Sequence, residues 1–209
     1  MEIGQSVGAK DPVLLYVSGA NTQIIAYASG KYRIFGETLD IGIGNLLDTF
    51  ARYAGMGFPG GPKIAQLAEN AKTHNYIDLP YSIKGMDVAF SGILTNLRHK
   101  LNKFKIEDLA YSLQETSFSM LVEASERAMA HTGKNELVLG GGVACNKRLQ
   151  EMCKIMCDER GARYFCPEPG LLTDNGAMIA FTGWVMHKHL KEKLDIEKLD
   201  IKPRERTDD

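Results

Sequence analysis

Three β-rich apolar runs follow Asp11, LLYVSG, TQIIAYA and YRIFGETLD, separated by SGANT and SGK. Runs of this length between turn residues predict an antiparallel meander of three strands. The period then changes. From Gly44 to Gly55 the apolar positions Leu46, Leu47, Phe50 and Ala54 recur at helical spacing, and FPGGP breaks that helix before another, roughly Pro62 to Ala71. Between Asn75 and Gly92 one proline and two glycines interrupt the pattern, which predicts an ordered loop or short hairpin. Helical spacing resumes over Ile93 to Phe104 and again from Ile106 to about Thr132, where Leu109, Leu113, Met120, Leu121 and Ala124 share a face and Gly133 is placed as the cap.

The closing half alternates. A strand before Gly140, a helix around Leu149 to Asp158, a strand from Ala162 to Pro167 and a helix from about Asp174 to Leu190 imply parallel pairing with right-handed crossovers. Three antiparallel strands, then helix, strand, helix, strand, helix, is the order of a ribonuclease H-like α/β lobe. Two such lobes facing each other make the actin, sugar-kinase and chaperone ATPase (ASKHA) architecture, and this sequence carries one full copy. The expected organisation is a lobe over residues 1–190 with a helical insertion at about 42–105, then a charged tail or truncated linker over 191–209.

Composition narrows the picture by exclusion. With 209 residues, 44% hydrophobic and 24% charged, the chain can bury a substantial core, and its formal charge of −1 gives no bulk attraction to nucleic acid. No apolar run reaches the length of about 18 residues that a membrane span needs, and MEIGQSVGAKDP lacks the regions of a signal peptide. A cytoplasmic protein without a membrane partner is expected. Cys145, Cys153, Cys157 and Cys166 crowd into one segment, and Cys153 and Cys157 share a helix face. A metal pair would fit that spacing, but the stripe with Leu149, Met152 and Met156 favours reduced core thiols.

Candidate chemistry gathers at three places. In LVLGGGVACNKRL, Leu137 to Leu149, a strand breaks on successive glycines into a helix start near Asn146. Glycine permits close backbone approach, and a helix start presents unpaired N–H groups to an anion. Tight-turn geometry alone would also explain the loop. The turn YVSGANT, Tyr16 to Thr22, supplies Ser18, Gly19 and Asn21, which suit either a phosphate or an ordinary hairpin. Asp174 opens TDNGAM at a strand-to-helix junction, where it is expected as an N-cap or, at the ligand end of an open sheet, as a cation ligand. Asp48 is expected on the solvated face of its helix. The basic segment Arg98, His99, Lys100, Lys103 and Lys105 reads as a solvated face or an RNA-phosphate contact. His187 and His189 are two apart on a helix, so they do not share a metal.

YVSGANTQ, FGETLDIGIGNLLDTFARY, FPGGP, KGMDVAFSG, YSLQE, GGVACNKRL and TDNGAMIA, in this order, resemble the TsaD-type tRNA threonylcarbamoyltransferase family in its archaeal and eukaryotic branch. The resemblance runs from about Glu2 to about Leu190. Older usage called such proteins O-sialoglycoprotein endopeptidases, but the sequence has neither HExxH nor a nucleophile with a matched base. The resemblance implies transfer of threonylcarbamoyl from its adenylate to N6 of the adenosine 3′ of the anticodon, in tRNAs reading ANN codons. It implies one divalent metal per subunit, iron or zinc, and ATP or threonylcarbamoyl-AMP as nucleotide ligand. By the same resemblance Tyr16 and Asp174 are metal ligands, and Tyr16, Val17, Ser18, Gly19, Asn21, Asp48, Gly61 and Asn146 contact the nucleotide or substrate. No catalytic residue beyond the metal site is identified. The implied partners are tRNA, a small Bud-type kinase and other KEOPS subunits.

The sequence departs from the family in two residues and in one larger way. Ala20 replaces the second glycine of the usual SGGNT turn, and Ala65 stands where a glutamate is common. The family's two histidine ligands, in HxxxH, belong just before MEIGQ with a whole first lobe, so the chain is expected to be a fragment inactive alone. Two other readings are an O-carbamoyltransferase-type lobe and a non-catalytic module that docks nucleotide or kinase.

Overall fold

The computed structural model describes residues 6–71, 75–189, 200–201 and 206. The meander forms as expected: β1 (Val13–Val17), β2 (Thr22–Ala28) and β3 (Lys31–Glu37) pair antiparallel, with a register shift between Ile24 and Ile25. β1 also pairs in parallel with β6 (Glu136–Gly140), and β6 pairs in parallel with β7 (Arg163–Phe165). The sheet order is therefore β3-β2-β1-β6-β7, with the first strand at its centre. Alternation on β1 sends Val13, Leu15 and Val17 into the core and leaves Leu14 and Tyr16 half-buried on the other face.

Helices α1 (Ile43–Tyr53) and α2 (Gly60–Glu69) follow β3. The segment around Lys84 is the expected hairpin, β4 (Ile83–Lys84) against β5 (Asp87–Val88), and α3 (Ser91–Lys100) follows it. α3 begins two residues earlier than its apolar spacing suggested because Asp40, fifty residues upstream, caps it from outside. The Asp40 carboxylate accepts the N–H of Phe90 (2.8 Å), the N–H of Ser91 (2.9 Å) and the Ser91 hydroxyl (2.6 Å). α3 stops at Lys100, and the chain to Phe104 continues as turns.

The longest helix, α4 (Ile106–Thr132), ends on Gly133 in the left-handed conformation (φ 68°), its N–H donating to Met129, as a C-terminal glycine should. α4 lies between the sheet and α2, so it is buried on more than one side. Three serines sit fully buried within it, and each returns its hydroxyl to the carbonyl one turn back: Ser112 to Asp108, Ser117 to Leu113 and Ser125 to Leu121, all at 2.7 Å. Their polar groups are thereby satisfied in an apolar setting.

After β6 the chain makes a 3₁₀ turn (Gly142–Cys145) that the glycine pattern alone did not reveal, then α5 (Lys147–Arg160), β7, a short helix α6 (Pro169–Leu172) also unforeseen, and α7 (Gly176–His189). Cys153 and Cys157 are buried in the core cluster, and burial pushes both thiols up, Cys157 to about 11. α7 is rich in apolar residues, yet none of them is buried: Ile179 is 67% exposed and Trp184 57%. Among the described residues no helix is long and apolar enough to cross a membrane. The expected tail, apart from 200–201 and 206, lies outside the described residues, as does the last residue of the final helix, Leu190.

Candidate functional site

Tyr16 pairs across the sheet with Gly140, so the turn after β1 and the glycine loop after β6 leave the sheet side by side. Two glycines make this approach possible. Gly141 has φ 88°, and a Cβ there would lie 2.3 Å from the Val17 carbonyl oxygen. A Cβ on Gly44 would lie 2.6 Å from the Gly19 Cα, so α1 starts directly against the first turn. That contact is locked by hydrogen bonds from the first N–H groups of α1: Ile43 to the Thr22 hydroxyl (2.9 Å), Gly44 to the Ser18 carbonyl (3.0 Å) and Asn45 to the Gly19 carbonyl (2.8 Å).

Between these turns and α2 opens a cavity of about 570 Å³. Of the residues singled out in the sequence, Gly19, Asp48, Gly61 and Asn146 line it, and Ala65 does too. Ser18 and Asn21 close the turn on each other: the Asn21 N–H donates to the Ser18 hydroxyl oxygen (3.1 Å) and the Ser18 N–H to the Asn21 carbonyl (2.8 Å). Val17 is fully buried and meets the glycine loop through its backbone. Ala20 sits without a positive φ, so its methyl group introduces no backbone strain.

Asp48 is a correction to its expected solvated position. It is half-buried, and its carboxylate accepts the Gly60 N–H at 2.7 Å, which fastens α1 to the first turn of α2. Asn146 caps α5, its side-chain oxygen accepting from Arg148 (2.9 Å) and Leu149 (3.3 Å) while its amide donates to Gln114 at 2.6 Å. Gln114 is buried on α4, and this bond ties the central helix to the glycine loop. Sequence reasoning gave Gln114 no role, although a glutamine on the apolar face of a long helix signals a buried polar group in need of a partner. Phe58, 82% exposed at the rim, and Pro59, joined to it by a cis peptide bond, were not singled out either. Next to Asn146, Arg148 forks onto Glu115 at 2.7 and 2.8 Å and reaches Glu151 at 2.7 Å.

Asp174 lies apart from the cavity lining and is exposed. The cap of α7 falls on its neighbour, since the Asn175 side-chain oxygen accepts the Met178 N–H at 3.0 Å. Tyr16 and Asp174 are two donors, and among the described residues no group of three or more His, Cys, Asp or Glu is arranged to hold a metal ion. These residues by themselves do not fit a complete metal centre.

A meander continued by parallel strands, with the cavity at the glycine-rich strand ends, defines a ribonuclease H-like lobe of the ASKHA fold class. Solved structures agree on the fold: full-length HypF in its phosphate- and nucleotide-bound form aligns at TM-score 0.66 over 85% of this chain and 33% of its own, with 12% identity. The activator of 2-hydroxyisocaproyl-CoA dehydratase from Clostridium difficile, with bound ADPNP, aligns at 0.55 over 92% and 68%, with 14% identity. The chain belongs to the TsaD family, tRNA N6-adenosine threonylcarbamoyltransferase, whose sequence profile matches residues 2–181. It is 57% identical over its whole length to the tRNA N6-adenosine threonylcarbamoyltransferase of Thermococcus kodakarensis, and spans 64% of that protein. Over 96% of its length it is 56% identical to a "probable bifunctional tRNA threonylcarbamoyladenosine biosynthesis protein" of Methanosarcina acetivorans, of which it spans 36%.

Proposed function

We propose that this chain is the nucleotide-holding lobe of a tRNA threonylcarbamoyltransferase, acting on threonylcarbamoyl-AMP and on the adenosine 3′ of the anticodon. The observation that carries the reading is the convergence of Gly19, Asp48, Gly61 and Asn146, drawn from four separate stretches of sequence, on one cavity. In this reading Gly19 and Gly61 let backbone approach the ligand, and Asp48 and Asn146 offer an acceptor and an amide at its nucleoside end. Ser18, Asn21, Tyr16 and Val17 shape the turn beside them. The adenine amine attacks the carbamoyl carbonyl, the bond from that carbon to the phosphate oxygen breaks with its electron pair going to AMP, and the proton lost from the amine passes to solvent. Tyr16 and Asp174 remain proposed ligands of an iron or zinc ion that needs further donors.

The same reading assigns tRNA as substrate, a Bud-type kinase and KEOPS subunits as partners, and the cytoplasm as setting, in keeping with its buried free thiols. Calorimetric titration of AMP or ATP into the 209-residue chain tests the cavity. Binding is expected, with a loss of about tenfold or more in Asn146→Ala, where a half-buried polar group lining the cavity is removed. Equal affinity in both proteins would overturn the assignment. Activity is tested in a polypeptide of the relatives' full length, by AMP release and tRNA modification, with Asp174→Ala expected to abolish both.

A further inference from the structure

The formal charge of −1 hides an uneven distribution: residues 43–105 hold eight Lys and Arg against four Asp and Glu, and the rest of the chain is acidic. The excess collects where α1 and α3 end. Arg98, His99 and Lys100 form the last turn of α3, and the Arg98 guanidinium lies over the Tyr53 ring at 5.2 Å, which joins the end of α3 to Arg52 and Tyr53 at the end of α1. Beyond α3 the N–H groups of Lys103 and Phe104 both donate to the Lys100 carbonyl, at 2.9 and 3.2 Å, so the chain stays coiled and Lys103 remains a turn from Lys100.

The charges differ in how far they are engaged. Lys100 donates to the Asp78 carbonyl at 2.5 Å, and Arg52 reaches the Thr49 hydroxyl at 3.3 Å. Lys103 and Lys105 are exposed and form no ion pair among the described residues, although Glu107 and the buried Asp108 follow in the first turn of α4. Exposed rings interleave with the basic side chains: Tyr53 at the end of α1, Phe104 between the two lysines, and Phe58 at the cavity rim. Arg52 is four residues from Asp48, hence on the same face of α1 and about 6 Å along the axis from a residue that lines the cavity.

We infer that the surface formed by Arg52, Tyr53, Arg98, Lys103 and Lys105 holds the phosphate backbone of RNA whose reacting nucleotide enters the neighbouring cavity. Basic side chains with interleaved aromatic rings are the chemistry of a single-stranded or looped nucleic acid, the cations meeting phosphates and the rings taking unstacked bases. The groove between α4 and α5 is lined by Glu123, Glu126 and Glu159 with Arg160, so on balance it is acidic and disfavours the same ligand. The choice of tRNA as the RNA rests on the functional reading above.

The test is fluorescence anisotropy of labelled tRNA with the 209-residue chain between 50 and 200 mM salt. The double variant Lys103→Gln/Lys105→Gln is expected to bind about tenfold more weakly at low salt, and its log–log salt slope to shrink by roughly 2, one for each phosphate left without its lysine. Lys154→Gln, on the exposed face of α5, is expected to leave affinity and slope unchanged. No tRNA binding by the parent chain at 50 mM salt, or an unchanged slope in the double variant, overturns the inference. Unchanged tRNA binding with weaker binding of poly-L-glutamate assigns the surface to an acidic protein and overturns it too. AMP titration of the same proteins separates the two proposals: intact AMP binding with an unchanged slope sinks this one alone, and a reduced slope without AMP binding sinks only the nucleotide reading.

Discussion

Helices α4 and α7 both carry many apolar residues, yet fifteen of the 27 residues of α4 are buried and none of the 14 of α7. The difference comes from their neighbours. α4 is held between the sheet and α2, and even three of its serines and Gln114 are enclosed, whereas no described residue of α7 is more than half-buried. Apolar content therefore measures what a helix would gain by burial, and the surrounding elements decide whether it gains it. An apolar helix face left this open is also where contact with another surface would add the most stability.

The sharpest way to break this comparison is to truncate a large side chain on each helix. Phe118→Ala on α4 is expected to cost about 3–5 kcal/mol in urea denaturation, and Trp184→Ala on α7 no more than about 0.5 kcal/mol. Comparable losses would mean that α7 is packed in solution. A smaller effect probes the link from α4 to the site. Gln114→Ala leaves the Asn146 amide without its 2.6 Å partner, which should cost about 1–3 kcal/mol and weaken nucleotide binding as α5 loses its fixed cap.

Chemical probes sharpen the contrast without changing the sequence. Under mild peroxide, mass spectrometry should find sulfoxide on Met186, which is 46% exposed, well before Met120 or Met129, which are fully buried. Cys153 and Cys157 should resist alkylation at neutral pH, because burial keeps both protonated. The mildest effect concerns Asp40. Burial pushes its carboxyl up, but hydrogen bonds from Ser91, Phe90 and Ile41 outweigh that and hold it below its ordinary value. A lowered folded-state pKa gives stability that is complete above the unfolded carboxylate's range and fades as pH falls through the folded value. Asp40→Ala should thus lower Tm at pH 7 and match the parent chain in acid.

Most of the element order was legible in the sequence because glycines and prolines punctuate it and α4 keeps its helical period over many turns. What escaped depends on contacts between distant residues. Asp48 looked solvated on its own helix, and only the placement of Gly60 turns it into an anchor. Asp174 and Asn175 are both competent caps, and the spacing alone does not choose between them. α3 lacks a capping side chain at its own start and is capped by Asp40 from afar. Gln114 was visible as a polar residue on an apolar face, but its partner Asn146 lies on another element. The cavity was foreseeable from two glycine-rich turns at strand ends, whereas the contribution of Phe58 and Pro59 to its rim follows from the fold of the loop before α2.

The parallel pairing of β1 with β6 has a kinetic consequence. Residues 13–16 pair with residues 137–140, far along the chain, so this ladder closes a long loop. Pairings of such high contact order form slowly, since the entropy of loop closure is lost before any contact compensates for it. The two turns that frame the cavity are both suspended from this ladder, so the cavity comes into being only when the centre of the sheet has zipped. A molecule that fills it recognises the completed sheet alone, and draws the chain toward the folded state by mass action.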